Sequence, residues 1–160
     1  MVADVELHTG RDLRRIASEL RQMNNRQLKL EFTRELRAAA KPMVPAVRQA
    51  IRQIPSKQGF SSDGLRGRMS RAVKLEVRTA SRDAGVRIRV DGRKMPSQQR
   101  ALQSYMEGVK RPWRHPVFGN REVWVKQQPK PYFFKTVRPM GAASRVQVNR
   151  AIDRVAKKIS

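Results

Sequence analysis

Val73-Lys74-Leu75-Glu76-Val77-Arg78 and Val86-Arg87-Ile88-Arg89-Val90-Asp91 decide the fold class. In both runs an apolar residue alternates with a charged one, the period of a strand with one face on a core and the other in water. Asp83-Ala84-Gly85 supplies turn chemistry between them, so the runs are expected to pair as an antiparallel hairpin over 72–91. Val73, Leu75, Val77, Val86, Ile88 and Val90 then share the core face. The outer face holds Lys74, Arg78, Arg87 and Arg89 against Glu76 and Asp91, and Glu76 is placed to pair with Arg87 or Arg89.

Upstream of the hairpin the apolar period lengthens to that of a helix. Thr9-Gly10-Arg11-Asp12 reads as a helix start, with Thr9 as cap and Asp12 near the positive end of the dipole. Leu13, Ile16, Ala17 and Leu20 follow as one stripe. Asn24-Asn25 interrupts it. Leu28, Phe32, Leu36, Ala39, Met43, Val47, Ala50 and Ile54 make a second stripe that keeps phase through Pro42 and Pro45. Proline removes a helical hydrogen bond, so the spacing predicts a kinked helix, or two helices nearly end to end, from 26 to 54. Residues 56–71 contain Gly59, Ser61-Ser62-Asp63-Gly64 and Gly67. They read as a flexible loop with a turn of helix near Leu65 to Met69, and they lack the G-x-x-x-x-G-K-[ST] pattern of a phosphate-binding loop.

Downstream, residues 97–106 read as a short helix with Ala101, Leu102 and Tyr105 inward. Glu122 to Lys126 reads as a third strand and Tyr132 to Phe134 as a fourth, short one. A last helix is expected over 139–159, with Pro139 in its first turn and Val148, Ile152, Val155 and Ile159 as its stripe. The expected fold is therefore α+β, a single domain over 1–160. A small, mainly antiparallel sheet is packed by a long kinked N-terminal helical region (1–55), a short middle helix and a C-terminal helix.

Composition bounds the chemistry. The 160 residues are 39% hydrophobic, enough for a core, and carry 36 Lys and Arg against 13 Asp and Glu, a formal charge of +23. Residues 1–25 are neutral, with four basic and four acidic side chains, so the whole excess falls on 26–160. Such a surface draws anions, nucleic acid first and an acidic protein second. No cysteine is present, which excludes disulfides, thiolate catalysis and zinc sites built on sulfur; two histidines make a histidine-rich metal site a poor fit. The longest stretch free of Asp, Glu, Lys and Arg is six residues, as in Pro42 to Val47. That is too short for a membrane-spanning helix or the apolar core of a secretory signal.

Residues 105–139 differ from the rest. They hold seven of the nine aromatics and five of the nine prolines, interleaved with Arg111, Arg114, Arg121, Lys126 and other cations. The pattern fits either a stacking platform for single-stranded nucleic acid or a core edge with cations lying over rings; the prolines favour a rigid structural loop. The chain has no cysteine, and no serine or carboxylate near His115 has the arrangement expected of a triad. Glu107 and Glu122 could act as an acid/base pair; the plainer role is to offset the neighbouring Arg and Lys.

Within this segment Arg114-His115-Pro116-Val117-Phe118-Gly119-Asn120, then Trp124-Val125 with Gln127-Gln128, then Pro131-Tyr132-Phe133-Phe134 resembles a family of proteins from lambda-like long-tailed bacteriophages, known as tail-completion, head–tail joining or minor tail proteins. The layout of long N-terminal helices, hairpin, aromatic segment and C-terminal helix is similar too. Tyr105-Met106-Glu107-Gly108-Val109 matches loosely the Glu-Phe-Gly-Thr-like run of many relatives. The resemblance implies a non-enzymatic structural protein of the virion neck, without cofactor or metal, present in the host cytoplasm during assembly. It implies a ring of copies, commonly six, between the tail terminator and the head-completion (stopper) proteins, with DNA passing through the lumen and no membrane contact. Arg114, His115, Pro116, Phe118, Trp124 and Phe133 are then the candidate assembly residues. Lys74, Arg78, Arg87, Arg89, Arg111, Arg114 and Arg121 are the candidate residues facing DNA or another anion. The alternative reading of the same charge is a basic nucleic-acid-binding module, ribosome- or nucleoid-associated.

Overall fold

The hairpin forms as its alternation dictates. In a computed structural model of the chain, β2 (Val73–Arg78) and β3 (Gly85–Val90) pair antiparallel with Val73 opposite Val90, Leu75 opposite Ile88 and Val77 opposite Val86. The structure describes residues 4–7, 10–56, 59–80, 82, 84–109, 113–117 and 120–160, and of 4–7, 113 and 115–117 the backbone alone. The turn residue Asp83 and the cap residue Thr9 lie outside the described residues, as do Arg111 and Phe118 and the side chains of His115 and Pro116. Around the hairpin stand β1 (Asp4–Leu7), α1 (Gly10–Gln22), α2 (Arg26–Ala40), α3 (Met43–Arg52) and α4 (Leu65–Arg71) before it. After it come α5 (Leu102–Glu107), β4 (Trp113–Val117), β5 (Asn120–Gln127) and α6 (Phe134–Ile159). The fold is α+β.

The helices follow the apolar stripes. Leu13, Ile16, Ala17 and Leu20 are the buried residues of α1. Asn24 adopts a positive φ of 50°, and the Asn25 side chain caps α2 by accepting from the Leu28 amide at 3.0 Å. The long second stripe is one bent rod. Pro42 and Pro45 cannot donate to the carbonyls of Ala38 and Lys41, yet Lys41 (φ −51°, ψ −41°) and Pro42 (φ −61°, ψ −25°) stay helical. The Val44 amide takes the Lys41 carbonyl at 3.2 Å instead, a tighter turn that sets the bend. The phase survives with one change: Ile51 rather than Ala50 is buried in the last turn.

Phe32, Leu36, Met43, Val47 and Ile51 on this rod pack between Val73, Val86, Ile88 and Val90 of the sheet and Val148, Ile152 and Val155 of α6. All are essentially solvent-free. At about 25 cal/mol per Å² of apolar area removed from water, burying this face is a favourable term of the core.

Five expectations are corrected. The N-terminus contributes a strand: β1 pairs antiparallel with β3, giving the order β1-β3-β2 with β3 central. Four residues are too few for a period to stand out. The turn of helix expected near Leu65 to Met69 forms, but as the longer α4, with Gly67, Met69 and Ser70 buried, so the loop expected over 56–71 reaches only to Gly64. In α5 the inward residues are Leu102, Gln103, Ser104 and Glu107, while Ala101 and Tyr105 are half-buried. The strand expected over 122–126 does form, as β5, but it joins β4 in a separate two-stranded ribbon rather than the main sheet. Tyr132 to Phe134 is not a strand: it leads into α6, which starts five residues before Pro139 and holds that proline inside it.

Candidate assembly site

The β4–β5 ribbon leaves the body between α5 and α6, and the chain pins its base tightly. α5 ends on Gly108, left-handed at φ +82°. Its amide returns to the Tyr105 carbonyl at 3.1 Å and the Val109 amide to the Ser104 carbonyl at 3.1 Å, the paired bonds of a Schellman stop. The returning strand closes on the same point, where the Lys130 amide donates to the Met106 carbonyl at 2.8 Å and Lys130 Nζ to the Pro55 carbonyl at 2.7 Å. A Cβ added at Gly108 would lie 3.3 Å from Pro129, so outgoing and returning chains touch there.

Glu107 completes the joint. Its carboxylate is buried, with Oε2 accepting from the Tyr132 and Phe133 amides at 2.8 Å each and Oε1 from the Phe134 amide at 2.9 Å. A carboxylate at the C-terminus of its own short helix sits against an unfavourable dipole end. Here it sits at the N-terminus of the 26-residue α6, whose orphan amides it takes. With its lone pairs committed to three backbone amides, Glu107 acts as a helix cap. Neither sequence reading, acid/base partner or offset to surface cations, describes it. No local signal could have shown this, because the amides lie 25 to 27 residues away.

Pro131-Tyr132-Phe133-Phe134 is the core side of the joint. Tyr132 and Phe133 are fully buried, Phe133 and Phe134 meet edge-to-face at 5.5 Å, and the Arg138 guanidinium lies 5.3 Å from the Phe134 ring centre. Burial, and then the charge of Glu107, push the Tyr132 phenol well above its ordinary range, so it stays neutral. Phe133 is therefore a core residue and not part of an exposed assembly face.

The ribbon itself is the opposite. Among the described residues, the extensive contact of β4 and β5 is with each other. Val123, Trp124 and Val125 are 51%, 48% and 44% exposed, and Arg114, Arg121 and Lys126 are exposed beside them. The Trp124 indole N–H donates to the Arg121 carbonyl at 2.6 Å, which fixes the ring without covering it. The register shifts between Pro116 and Val117, where a residue that cannot donate is tolerated. Of the candidate assembly residues, Arg114 and Trp124 stand on this arm with the backbone of His115 and Pro116. Glu122 is exposed on it, its amide donating to Asn120 Oδ1 at 2.9 Å.

The sheet face proposed for an anion is largely neutralised. Lys74 Nζ lies 2.6 Å from Asp91 Oδ2, and Arg89 lies 2.8 Å from Glu76 Oε1. Arg93 also donates to Asp91, and with Lys74 it holds that carboxyl well below the ordinary carboxylate range. β1 adds two acidic positions on the same face, since Asp4 stands opposite Arg89 and Glu6 opposite Arg87. Four basic residues thus stand on the sheet with Glu76 and Asp91, and with the positions of Asp4 and Glu6 in register beside Arg89 and Arg87. Arg78 at the strand end is exposed.

Among the described residues no group of three His, Asp or Glu is placed to hold a metal ion, and no helix is long and apolar enough to cross a membrane. The chain matches no protein-family model, no curated protein and no solved structure.

Proposed function

We propose that the chain is a structural subunit of the bacteriophage neck, assembling as a ring that completes the tail and joins it to the DNA-filled head. The observation that carries the reading is the β4–β5 arm, a rigidly based ribbon whose Val123, Trp124 and Val125 stand in solvent. Val123 and Val125 stand exposed on one face of the ribbon and Trp124 on the other, and exposed apolar side chains on an arm with little packing against the body suit a surface made for a partner. A ring subunit needs a head-to-tail contact of this kind, one patch reaching a different patch on the next copy. The residues that resemble the phage family (114–120, 124–128 and 131–134) are those of the arm and its anchored return. In this reading the arm reaches a neighbouring copy, the tail terminator and stopper proteins flank the ring, and DNA passes through it. The subunit performs no chemical step.

The test is electron microscopy of particles made without the gene and with it supplied in trans. Filled heads beside unattached tails, rescued by the wild-type protein and not by Trp124→Asp/Val125→Asp, are expected. Normal tailed particles in the deletion would end the neck reading; rescue by the arm variant would remove the arm from it.

A further inference from the structure

Part of the +23 charge forms a continuous surface on the bent α2–α3 rod. Arg34, Arg37, Lys41, Arg48 and Arg52 recur at helical spacing with Pro45 completing the series; Arg34, Arg37, Lys41, Pro45 and Arg52 are exposed on the side turned away from the buried stripe, and Arg48 is half-buried beside the sheet. Because Lys41 and Pro42 keep helical angles, the ridge stays in phase across the bend. From Arg34 to Arg52 it runs roughly 27 Å at 1.5 Å per residue, with cations at steps of about 5–10 Å.

Acidic residues are turned away from it. The two carboxylates of α2, Glu31 and Glu35, face α6, where Glu31 pairs with Lys158 and Glu35 with Arg154 at 3.3 Å. No Asp or Glu occurs from residue 36 to residue 62. The contacts that the ridge side chains do make go to uncharged groups: Arg48 donates to the Val73 carbonyl at 3.4 Å, and Arg52 lies 6.0 Å from the Phe60 ring centre. Helix α4, packed on α3, adds exposed Arg68 and Arg71, the latter bound to the Ser62 carbonyl at 2.6 Å. A carbonyl or a ring orients a guanidinium and leaves its charge in place. On the sheet, by contrast, Lys74 and Arg89 meet carboxylates.

We infer that this ridge, Arg34 to Arg52, is a docking surface for the phosphate backbone of a nucleic acid. A linear row of one sign, mostly guanidinium, suits a linear polyanion, because arginine binds phosphate oxygens in pairs. An acidic protein partner would call for apolar anchors among the charges, and no large apolar side chain is exposed between residues 34 and 52. The row carries no arrangement for reading bases, so the expected binding is insensitive to sequence and strongly salt-dependent. The inference stands on the isolated chain and does not depend on the neck reading.

The experiment is fluorescence anisotropy of the full chain with a labelled 30-base-pair duplex of mixed sequence, titrated between 50 and 300 mM NaCl. The ridge variant Arg34→Gln/Arg37→Gln/Lys41→Gln/Arg52→Gln is compared with Arg11→Gln/Arg14→Gln/Arg21→Gln/Arg26→Gln, which removes the same charge from exposed sites at α1 and the start of α2. Glutamine matches arginine and lysine closely in helix propensity, and circular dichroism checks that both variants keep the wild-type fold. Four lost phosphate contacts flatten the slope of log K against log salt by roughly 3–4 and weaken binding about a thousandfold at 100 mM salt. The control is expected to lose about tenfold or less. Equal losses in the two variants would mean diffuse attraction with no docking face and would overturn the inference. So would an unchanged slope in the ridge variant, or a ridge variant that keeps DNA and loses polyglutamate, which would assign the ridge to an acidic protein.

Discussion

Replacing Glu107 removes one side chain and strands three backbone donors. The carboxylate accepts from the amides of Tyr132, Phe133 and Phe134 at 2.8, 2.8 and 2.9 Å, and the first two residues are 1% and 0% exposed. Hydrogen bonds to a charged acceptor contribute about 1.5–3 kcal/mol each. Their plain sum overstates the loss, because water reaches the half-buried Phe134 amide and the first turn of α6 relaxes. An ordinary exposed N-cap is worth about 1 kcal/mol. Glu107→Ala is therefore expected to cost about 3–5 kcal/mol, with Tm lowered by roughly 10 °C for a chain of this size. Glu107→Gln separates hydrogen bonding from charge. Its single oxygen can still take the Tyr132 and Phe133 amides while its NH2 replaces the acceptor of Phe134, so about 1–2 kcal/mol is expected. Urea unfolding followed by far-ultraviolet circular dichroism measures both, and tryptophan emission from Trp113 and Trp124 reports separately on the arm. An Ala variant within 1 kcal/mol of wild type, or a Gln variant as unstable as Ala, would refute the reasoning, the first on the cap and the second on its being a matter of acceptors.

Two further predictions concern the end of the central strand and the α3–α4 corner. The Asp91 carboxylate is held by Arg93 and Lys74 below its ordinary range, so it stabilises the fold above the unfolded carboxylate value near 4 and that contribution is lost as pH falls below it. Asp91→Asn should accordingly cost about 1–3 kcal/mol at pH 7 and progressively less toward pH 2 in paired thermal melts; a gap that does not narrow would contradict the assignment. Gly67 lies in a helix, where alanine is ordinarily better by about 1 kcal/mol, yet a Cβ there would fall 1.9 Å from the Ser62 carbonyl oxygen. Gly67→Ala is expected to destabilise by about 1–3 kcal/mol in chemical denaturation, and a stabilised variant would show that the 59–64 segment yields freely.

The elements legible in the sequence are those whose pattern is local and repeated. The alternation of 73–78 and 86–91 and the stripes of α1 and α2–α3 each repeat one period often enough to outweigh chance, and two prolines did not obscure the second stripe because the backbone stays helical through them. What the sequence hid depends on partners far along the chain. α6 begins at Phe134 because Glu107 caps it from another helix; read locally, Pro139 is the natural first-turn residue, and the aromatic run before it resembles a strand. β1 is four residues long and exists because β3 offers an open edge.

The same distinction explains the misplaced charge. On the hairpin alone, four basic residues outnumber two acidic ones, and that face looks like the route of an anion. Adding β1 brings Asp4 and Glu6 into register with Arg89 and Arg87, so the balance of the face is a property of the sheet that no single segment carries. On the α2–α3 ridge the logic runs the other way. Its charges alternate with apolar residues at intervals that, read as sequence, say only that a helix is amphipathic. They become a surface once Glu31 and Glu35 are seen to turn toward α6 and the two helices to share one axis through the bend. A strongly basic chain therefore locates its anion surface by where its few carboxylates go. Only 13 are present; Glu31, Glu35, Glu76 and Asp91 are engaged in pairing and Glu107 in capping, and none of them faces the ridge.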